Sequence, residues 1–579
     1  MNILGISCFY HDAAAALLAD GQLVAAAQEE RFTRKRHDSN FPINAIRYCL
    51  SATKISANSL DYVVFYDKPF IKFERILQTY FGTFPRSFRS FLKALPVWMK
   101  EKMWIRQTIM KELDYAGEVL FTEHHMSHAA SAFLVSPFEE AAILTLDGVG
   151  EWETTTKGWG RGNEIQLTGA IHFPHSLGLL YSAFTYYLGF RVNSAEYKVM
   201  GLAPYGEPRF ADTILQELVN VQPDGTFCLN MKYFTYHYGL TMTGKKIETL
   251  FGHPRREPES TLEQFHKDMA ASIQKVTDTI VVRLAQHIER ESKMKSLCMA
   301  GGVALNCVAN SKIFEHTNFQ DIFVQPAAGD AGGAIGAAFY IYNTVLGNRR
   351  SFVMRHAFLG PEFNNGEVEE LFRTAAVSFR KLEQSELLKE TARLLDAQKV
   401  IGWFQGRMEF GPRALGARSI LADARNPKNQ SVVNLKIKYR ESFRPFAPTV
   451  LEEKTSAWFD WNRPSPFMLF IAQAKNGKER IPAVTHSDGS ARLQTISRDQ
   501  NSLYYDLVSE FDKLTGCPVI INTSFNQRGE PIVCTPQDAW KCFLRTEMDH
   551  LVIGNFLVNK SDVPPYLVDE ARKETFEPD

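Results

Sequence analysis

The first 30 residues of the chain alternate between short apolar runs and polar or turn-forming residues. Apolar residues dominate 2–8, 13–18 and 23–28, and the sequence Ala-Asp-Gly at 19–21 separates the last two runs. Runs of four to eight apolar residues bounded by turn residues are typical of buried strands. The pattern therefore predicts three short strands at the start of the chain.

The same order of elements returns after residue 140. An apolar run at 141–146 ends in a glycine turn at 147–150, and a strand-like stretch follows at 153–160. We therefore expect the N-terminal half to use one strand arrangement twice.

A long helix is predicted for 260–293, because apolar residues recur there at helical spacing. Ser260 and Glu263 stand three apart, as in a capping box, and would mark its first turn. Farther on, strand-like runs at 296–300 and 321–325 lead into GGVALN and PAAGDAGGAIGAAF. Both segments have the order strand, glycine turn, helix, which offers backbone N–H groups and a helix N-terminus to a phosphate.

The periodicity weakens at 347–365, where glycine and proline occur and apolar repeats are few. We place a domain junction there and expect two domains, 1–355 and 356–579. The second domain begins with helix, strand, helix and strand at 368–375, 379–382, 385–398 and 400–405. This order favours a separate α+β domain over an extension of the first sheet.

Composition narrows the class of protein. The 579 residues exceed what one hydrophobic core normally holds, and 45% hydrophobic with 22% charged residues is typical of a globular protein. A formal net charge of +0 argues against general binding of nucleic acid. The eight cysteines include no C-x-x-C pair, which favours buried thiols in a reducing compartment.

The N-terminus lacks the pattern of a signal peptide or a membrane span. Its first Lys or Arg is Arg31, and His11 and Asp12 interrupt the apolar runs. We therefore expect a cytoplasmic protein with no membrane partner.

One segment, 406–448, departs from the overall charge balance. It holds nine Lys/Arg and three Asp/Glu, and six of the cations are arginines: Arg407, Arg413, Arg418, Arg425, Arg440 and Arg444. A guanidinium matches phosphate oxygens two at a time, so a phosphate site is expected here. A solvated basic face or a nucleic-acid patch is the alternative. The segment is punctuated by turn residues, which place the cations on turns and not along one helix: Gly411, Pro412, Gly416, Pro445 and Pro448.

His124 and His128 in EHHMSHAASAF are candidate metal ligands. They stand four apart, which places them on one side of a helix with room for a metal ion between them. Asp147 and Asp330 each lie in a glycine turn after a strand, where carboxylates reach ligands in layered sheets. Two imidazoles with one or two carboxylates suit iron, manganese or zinc. Histidines at this spacing are also common as surface neighbours or core residues, and His125 is expected to point elsewhere.

Three further features could serve the same ligand. The glycine turns at 147–150, 301–302 and 329–333 could together hold a nucleotide phosphate or sugar, although each could be only a tight turn. His11 could accept a proton from an attacking hydroxyl group, or could be a capping or packing residue. Lys198, before a glycine turn, could reach an anionic group or pair with Glu196.

Taken together, the motifs resemble one known family. In chain order they are FYHDAAAAL, HHMSHAASAF, DGVGE, EYKVMGLAPYG, GGVALN, PAAGDAGGAIGAA, GRMEFGPRALGARSI, KYRESFRPFAP and NTSFNQRGEPIV. This order is similar to that of the O-carbamoyltransferases of nodulation-factor and antibiotic biosynthesis. The resemblance implies an α/β fold with an N-terminal domain of the actin/sugar-kinase class, similar to the tRNA threonylcarbamoyltransferase catalytic subunit. It also implies a C-terminal α+β domain similar to threonylcarbamoyl-adenylate synthase.

The resemblance further implies a reaction in two steps. In the C-terminal domain, ATP, bound with Mg²⁺, and carbamoyl phosphate would give carbamoyl-adenylate. In the N-terminal domain, a hydroxyl group of a natural product or sugar would take the carbamoyl group and release AMP. A divalent metal is implied, with Fe²⁺ first and Mn²⁺ or Zn²⁺ as alternatives, and a homodimer is compatible with the sequence.

The family's motifs assign roles to individual residues. His124, His128 and Asp330 match metal ligands, Asp147 lies close to the metal or the intermediate, and His11 matches the base. The nucleotide and carbamoyl-phosphate site is matched by Lys438, Arg413, Arg444, Arg492, Ser524 and Asn526. The remaining expected positions around nucleotide, phosphate or cofactor are Asp147, Gly150, Lys198, Gly301, Gly302, Asn306, Gly329, Arg407, Arg418, Arg440 and Asn522.

Two other functions fit parts of the sequence. A metabolite kinase of the actin/sugar-kinase class would release ADP and would give the arginine-rich segment no role. A non-catalytic, nucleotide-binding regulatory protein would use the aromatic and basic stretch at 81–111 to bind RNA, lipid or a protein partner. That stretch could equally be a helical cover or a subunit contact. Because neither it nor 205–258 matches a motif, the acceptor is not identified.

Overall fold

The computed structural model describes residues 1–440, 444, 446–574 and 576, apart from the side chain of Glu101. The chain divides into two compact units. Unit 1 comprises Met1–Glu29 and His37–Met354, and unit 2 comprises Glu30–Arg36 and Arg355–Asp579. The short helix α1 (Glu30–Thr33) therefore belongs to unit 2, although it lies near the start of the chain.

Unit 1 contains two five-stranded sheets and a two-stranded one. Its strands are β1 (Asn2–Ser7), β2 (Ala14–Ala19), β3 (Gln22–Gln28), β4 (Tyr62–Phe65), β5 (Glu118–Phe121), β6 (Glu140–Leu146), β7 (Glu153–Arg161), β8 (Glu164–His172), β9 (Val219–Val221), β10 (Phe227–Leu229), β11 (Ser296–Ala300) and β12 (Asp321–Val324). The large sheets have the orders β3-β2-β1-β4-β5 and β8-β7-β6-β11-β12. Each contains three antiparallel strands followed by two parallel ones, so the predicted duplication is confirmed.

The helices of unit 1 connect and cover these strands. They are α2 (Ile43–Thr53), α3 (Pro69–Gly82), α4 (Phe88–Val97), α5 (Ile105–Leu113), α6 (His124–Phe133), α7 (Leu177–Tyr187), α8 (Glu196–Leu202), α9 (Ala211–Thr213), α10 (Lys245–Phe251), α11 (Gln264–Ser292), α12 (Cys307–His316) and α13 (Asp330–Phe339). None of the helices in the described part of the chain is both long and apolar enough to cross a bilayer.

Small residues in α13 allow this helix to approach its neighbours closely. A Cβ atom at Gly336 would lie 1.7 Å from the carbonyl oxygen of Ser127 in α6, and one at Gly5 in β1 would lie 1.9 Å from that of Ala334. Only glycine fits at such crossings, because any side chain would overlap the facing backbone. The close packing of α13 against α6 determines how near Asp330 lies to the histidines of α6.

The predicted start of the long helix is wrong by one turn. The helix α11 begins at Gln264, and its N-cap is Glu263. The capping box joins Glu263 to His266, whose ring accepts from the N-cap backbone, so the Ser260 and Glu263 pair does not form it. The Ser260 hydroxyl instead donates to the carbonyl of Glu257 in the preceding turn. Histidine can replace the usual Glu or Gln at N3 because a neutral ring nitrogen accepts the same hydrogen bond.

Unit 2 is built on one nine-stranded mixed sheet. Its strands are β13 (Arg380–Lys381), β14 (Ile401–Phe404), β15 (Arg418–Asp423), β16 (Ala447–Leu451), β17 (Phe470–Gln473), β18 (Ser490–Ile496), β19 (Val519–Ser524), β20 (His550–Ile553) and β21 (Phe556–Asn559). The order is β13-β21-β20-β14-β15-β19-β16-β18-β17. Parallel pairing occurs between β14 and β20 and between β16 and β18, while the other pairs are antiparallel.

The helices of unit 2 are α14 (Asn365–Thr374), α15 (Gln384–Asp396), α16 (Lys428–Val432), α17 (Thr455–Trp458), α18 (Gly477–Arg480), α19 (Ser502–Thr515), α20 (Pro536–Arg545) and α21 (Pro565–Ala571). The α/β fold class predicted from the sequence is confirmed, with a duplicated strand order in unit 1 and a mixed sheet with helices in unit 2.

Residues Glu30–Arg36, here called the inserted segment, hold their place in unit 2 through arginines. Arg31 donates to the carbonyl of Gly411 at 2.9 Å. Arg34 donates to the carbonyls of Pro531 and Ile532, each at 2.8 Å, and its guanidinium lies 3.2 Å from the buried carboxylate of Glu530. Charge-assisted bonds of this kind are among the stronger polar contacts in proteins.

Candidate metal and anion sites

Two histidines and two aspartates converge in unit 1, and their ligand atoms all lie within 4.8 Å of one another. His124 and His128 lie one turn apart in the first half of α6. Asp147 follows the last residue of β6, and Asp330 is the first residue of α13. The sequence predicted all four residues as metal ligands, and the fold brings them together.

The geometry of this cluster points its ligand atoms inward. The Nε2 atom of His124 lies 3.2 Å from Oδ2 of Asp147 and 3.7 Å from Oδ1 of Asp330. The Nε2 atom of His128 lies 4.0 Å from the same Asp147 oxygen and 3.8 Å from the same Asp330 oxygen. One ion placed among these atoms could reach all four residues after small side-chain movements.

The protonation states of the cluster fit a cation. Burial, with the charge of Lys72, holds the pKa of His124 well below its usual value, and burial also lowers the pKa of His128. Burial opposes ionisation of Asp147, but the hydrogen bond to His124 and the two histidines outweigh it and hold its pKa well below its usual value. Burial and the neighbouring Asp147 charge raise the pKa of Asp330 to about 7. Neutral imidazoles and an ionised carboxylate are the forms that bind metals, so the four residues fit a divalent transition metal.

Three residues around the cluster were missed by the sequence analysis. Tyr66 donates its hydroxyl to Oδ2 of Asp330 at 3.3 Å, and Glu151 accepts from the backbone N–H of His124 at 3.0 Å. Lys72 is buried in an ion pair with Asp67 at 2.6 Å. Tyr66 and Lys72 come from stretches without a motif, and Glu151 ends the motif DGVGE but was given no role, so the only sequence signal was a polar residue next to an apolar run. His125 points away, as expected, and its ring bonds to Thr145 and to the carbonyl of Glu153.

The glycine turns near Asp147 support this carboxylate directly. The N–H of Gly302 donates to Oδ1 of Asp147 at 2.8 Å. Gly301 has φ +92°, and a Cβ there would lie 2.2 Å from the carbonyl oxygen of Leu146. A Cβ at Gly150 would lie 3.0 Å from the ring of His124. Gly329 is the N-cap of α13 and thereby sets the direction of Asp330.

Two other predicted ligand residues have structural partners. The side chain of Asn306 caps α12 by accepting from the N–H of Ala309 at 3.1 Å, and its amide exchanges hydrogen bonds with Gln274. Lys198 is buried in α8, with its ammonium 5.7 Å from the ring centre of Phe190. Glu196, its expected alternative partner, accepts from the Ser182 hydroxyl and the backbone of Asn193.

His11 lies in a second polar cluster of unit 1. Its Nδ1 is 3.0 Å from Asp12, which also contacts Nδ1 of His37 at 2.8 Å. The Nε2 atom of His11 contacts the carbonyl of Asn193. Burial disfavours the charged ring, but Asp12 and this carbonyl outweigh burial and raise the pKa of His11 to about 10. His11, Asp12 and His37 also lie close enough together to form a potential metal-binding group.

Lys438 forms the centre of a polar site in unit 2. Its ammonium donates to the side-chain oxygen of Asn526 at 2.7 Å, to the carbonyl of Asn526 at 2.9 Å, and to the carbonyl of Ser524. The Ser524 hydroxyl donates to the same Asn526 oxygen at 2.7 Å. Burial, with the charges of Arg440 and Arg444, holds the pKa of Lys438 well below its usual value. A cation this crowded by other cations favours a nearby anion.

Asn434 links two of the predicted arginines. Its side-chain oxygen accepts from Arg440 at 2.8 Å, and its amide donates to the carbonyl of Arg444 at 2.9 Å. Asn522 lies in β19, and its amide donates to the side chain of Gln494 at 2.8 Å. Arg492 lies in β18, which β16 separates from β19 in the sheet, and Arg413 lies in the segment before β15. Four residues of the motif KYRESFRPFAP, Glu441, Ser442, Phe443 and Pro445, lie outside the described residues.

Arg418 and Arg407 donate hydrogen bonds to backbone carbonyl groups of unit 2. Arg418 is fully buried in β15 and donates to the carbonyls of Gln405, Gly406 and Pro361 at 2.9 to 3.0 Å. Arg407 donates to the carbonyl of Leu359 at 2.6 Å. Backbone carbonyls of unit 2 thus bind both guanidinium groups, and the expected role of Arg407 and Arg418 in anion binding stays a prediction.

Two protein-family models match the chain. Residues 2–339 match the family model for the carbamoyltransferase N-terminus, and residues 392–560 match that for the carbamoyltransferase C-terminus. An uncharacterized protein of Synechocystis sp. is 52% identical over 100% of both chains. Nodulation protein NolNO of Sinorhizobium fredii is 37% identical, over 96% of this chain and 80% of its own.

Two further comparisons differ in strength. Nodulation protein NolO of Bradyrhizobium diazoefficiens is 40% identical over 76% of this chain and 78% of its own. The structure of full-length HypF bound to phosphate and nucleotide covers 60% of this chain and 56% of HypF at 12% identity. Its TM-score of 0.31 is too low to add to the assignment. The two matched segments together span most of the sequence in the expected order, and the chain therefore belongs to the carbamoyltransferase family.

Proposed function

We propose that the protein is an ATP-dependent O-carbamoyltransferase that forms carbamoyl-adenylate and transfers its carbamoyl group to a hydroxyl group of a small molecule. The family establishes carbamoyl transfer, and the nucleotide, the intermediate and the acceptor class are the proposal. The observation that carries it is the buried ammonium of Lys438 among Ser524, Asn526 and arginines. A kinase would have no use for this second cationic site.

The first step would take place in unit 2. Carbamoyl phosphate loses orthophosphate to water and gives carbamate, whose oxygen bonds to the α-phosphorus of ATP while pyrophosphate leaves. Lys438, Arg440 and Arg444 would neutralise the charge that develops on the phosphate oxygens. Arg413 and Arg492 would hold further oxygens of the two phosphate substrates, and Mg²⁺ would accompany ATP.

The second step would take place in unit 1. The acceptor oxygen bonds to the carbamoyl carbon, the bond from that carbon to the phosphate oxygen breaks, and AMP leaves. A divalent metal held by His124, His128, Asp147 and Asp330, Fe²⁺ by resemblance, would supply Lewis acidity toward the carbamoyl group. The pair of His11 and Asp12 would take the proton of the acceptor hydroxyl, and the N–H of Gly302 would keep Asp147 in position.

The test is incubation with ATP, carbamoyl phosphate and a panel of hydroxylated sugars and natural products. We expect AMP and pyrophosphate as products and an acceptor that gains one carbamoyl group, detected by mass spectrometry. Production of ADP and a phosphorylated acceptor would replace the proposal with a kinase. If carbamoyl phosphate is not consumed with any acceptor, a non-catalytic nucleotide-binding role becomes the better explanation.

A further inference from the structure

An unusual concentration of apolar side chains faces solvent on helices α3 to α5. Among the described residues, eighteen large hydrophobic side chains are exposed, and nine of them fall between residues 70 and 104. We call this set of exposed residues the aromatic surface: Phe70, Ile71, Phe81, Phe84, Phe88, Leu92, Val97, Met99 and Trp104. Half of the exposed large hydrophobic residues thus lie in about one-sixteenth of the chain, which marks an interaction surface.

The same stretch is strongly basic. Residues 81–111 contain seven Lys/Arg and one acidic residue, in a chain whose net charge is +0. On α4, Arg89 and Lys93 each directly follow an exposed apolar residue, Phe88 and Leu92. Since i and i+4 positions share a helix face, α4 presents an apolar stripe next to a cationic one.

The inner face of these helices is anchored in unit 1, so the exposed face belongs to a folded element. The hydroxyl of Ser87 donates to the carbonyl of Tyr80 at 2.6 Å, and that of Ser90 donates to the carbonyl of Tyr238 at 2.5 Å. The ring of Trp98 is buried and stacks on Phe73 with centroids 5.6 Å apart. The exposed residues are therefore presented on a supported scaffold.

We propose that the aromatic surface docks the protein on an anionic lipid bilayer. Helices that lie in the interfacial region of a membrane combine Phe, Trp and Leu on one side with Lys and Arg beside them, as α4 does. A second copy of the chain fits less well, because a two-fold interface would place the cations of one copy opposite those of the other. No spanning helix is required, and the expectation of no membrane partner, which rested on the N-terminal sequence, did not address surface association.

The test uses the full-length protein and sedimentation with sucrose-loaded vesicles. We expect binding to vesicles of phosphatidylcholine with 30% phosphatidylglycerol and much weaker binding to phosphatidylcholine alone. Binding should weaken as salt concentration rises, because the charge contribution is screened. The double variants Phe88→Ser/Leu92→Ser and Arg89→Glu/Lys93→Glu should each weaken binding by about tenfold or more.

Matched control variants distinguish binding through this surface from nonspecific binding to vesicles. Lys389 and Arg393 are two exposed cations at the same spacing on α15, so Lys389→Glu/Arg393→Glu should bind vesicles normally. Leu514 is exposed on α19, and Leu514→Ser should also be neutral. Thermal unfolding of every variant checks that the fold is retained.

Three outcomes would overturn the proposal. The first is absence of binding to the anionic vesicles at low salt. The second is equal binding by parent and surface variants that are shown to be folded. The third is a dimer in light scattering that Phe88→Ser/Leu92→Ser converts to monomer, since a second copy would then cover the surface.

Discussion

The Nε2 atoms of His124 and His128 lie 3.1 Å apart in the interior of unit 1. Burial keeps both rings neutral, and at most one hydrogen can lie between two nitrogens at this distance. At least one ring therefore directs a lone pair toward the other ring and the carboxylates. A divalent cation placed there would accept this lone pair together with oxygens of the two carboxylates.

Replacing His128 by alanine should abolish metal binding and carbamoyl transfer while leaving formation of carbamoyl-adenylate intact. The reason is that the proposed metal ligands lie in unit 1, whereas Lys438 lies in unit 2. Mass spectrometry measures the metal content, and pyrophosphate release measures the formation of carbamoyl-adenylate. His125→Gln is the matched control, since His125 bonds to Thr145 and Glu153 outside the cluster. Equal metal content in His128→Ala and the parent would remove His128 from the ligand set.

Replacing Tyr66 by phenylalanine should weaken metal binding by about tenfold. The change removes the hydroxyl that donates to Asp330 at 3.3 Å and preserves the buried ring. Competition with a chelator of known affinity gives the measurement. Unchanged affinity would show that the hydrogen bond has no influence on how Asp330 holds the metal.

Replacing His11 by alanine should abolish transfer and spare the formation of carbamoyl-adenylate. Because Asp12 raises the pKa of His11 to about 10, the ring is mostly protonated at pH 7. If the neutral ring is the base, transfer from preformed carbamoyl-adenylate should accelerate as pH rises from 7 to 9. Normal transfer by His11→Ala, or a rate that falls over this pH range in the parent, would remove the base assignment.

Replacing Lys438 by methionine should stop pyrophosphate release from ATP and carbamoyl phosphate. Transfer from supplied carbamoyl-adenylate should continue, because the proposed transfer site lies in unit 1. Loss of the ammonium also leaves the buried oxygens of Ser524 and Asn526 without this donor, at a cost of about 1–3 kcal/mol in stability. Lys436→Met is the control, since that side chain is 60% exposed. Normal pyrophosphate release by Lys438→Met would contradict the proposed role.

Replacing Asp278 by asparagine should stabilise the protein at neutral pH. Burial raises the pKa of Asp278 to about 6 from a usual value of 3.8. Between these pH values the folded chain binds more protons than the unfolded chain, so stability decreases as pH rises through this window. The variant has no carboxyl group to titrate, so its free energy of unfolding does not decrease over this range. Between pH 4 and pH 7 the difference from the parent should grow to about 3 kcal/mol.

Urea unfolding at several pH values measures the effect of Asp278→Asn. Asp212→Asn, a change at an exposed position of α9, is the control. A stability difference that is independent of pH would show that Asp278 is not the titrating group.

The sequence predicted the site residues whose placement depends on a short local pattern. His124 and His128 share a helix face by spacing alone, and Asp147 follows an apolar run, so their direction could be predicted. That Asp330 would meet them depends on the close packing of α13 at Gly336, which no local pattern specifies. Tyr66, Lys72 and Glu151 were missed because their role arises only from tertiary contacts.

The arginine-rich segment shows a second limit. Arg407 and Arg418 looked equivalent to Arg440 in the sequence, yet both donate hydrogen bonds to backbone carbonyls of their own unit. Which cation faces inward depends on loop paths that charge counting does not reveal. Similarly, the capping box of α11 has a histidine where an acidic residue was expected. The helix therefore begins about one turn later than the sequence predicted.

The inserted segment makes unit 2 dependent on both ends of the polypeptide. During synthesis, Arg31 and Arg34 leave the ribosome hundreds of residues before Gly411 and Glu530, so unit 2 cannot close until its last strands have been made. A fragment that starts at residue 355 would lack Arg34, which lies 3.2 Å from the buried Glu530 carboxylate. Truncation or domain exchange in this family member must therefore carry Glu30–Arg36 along with the C-terminal half.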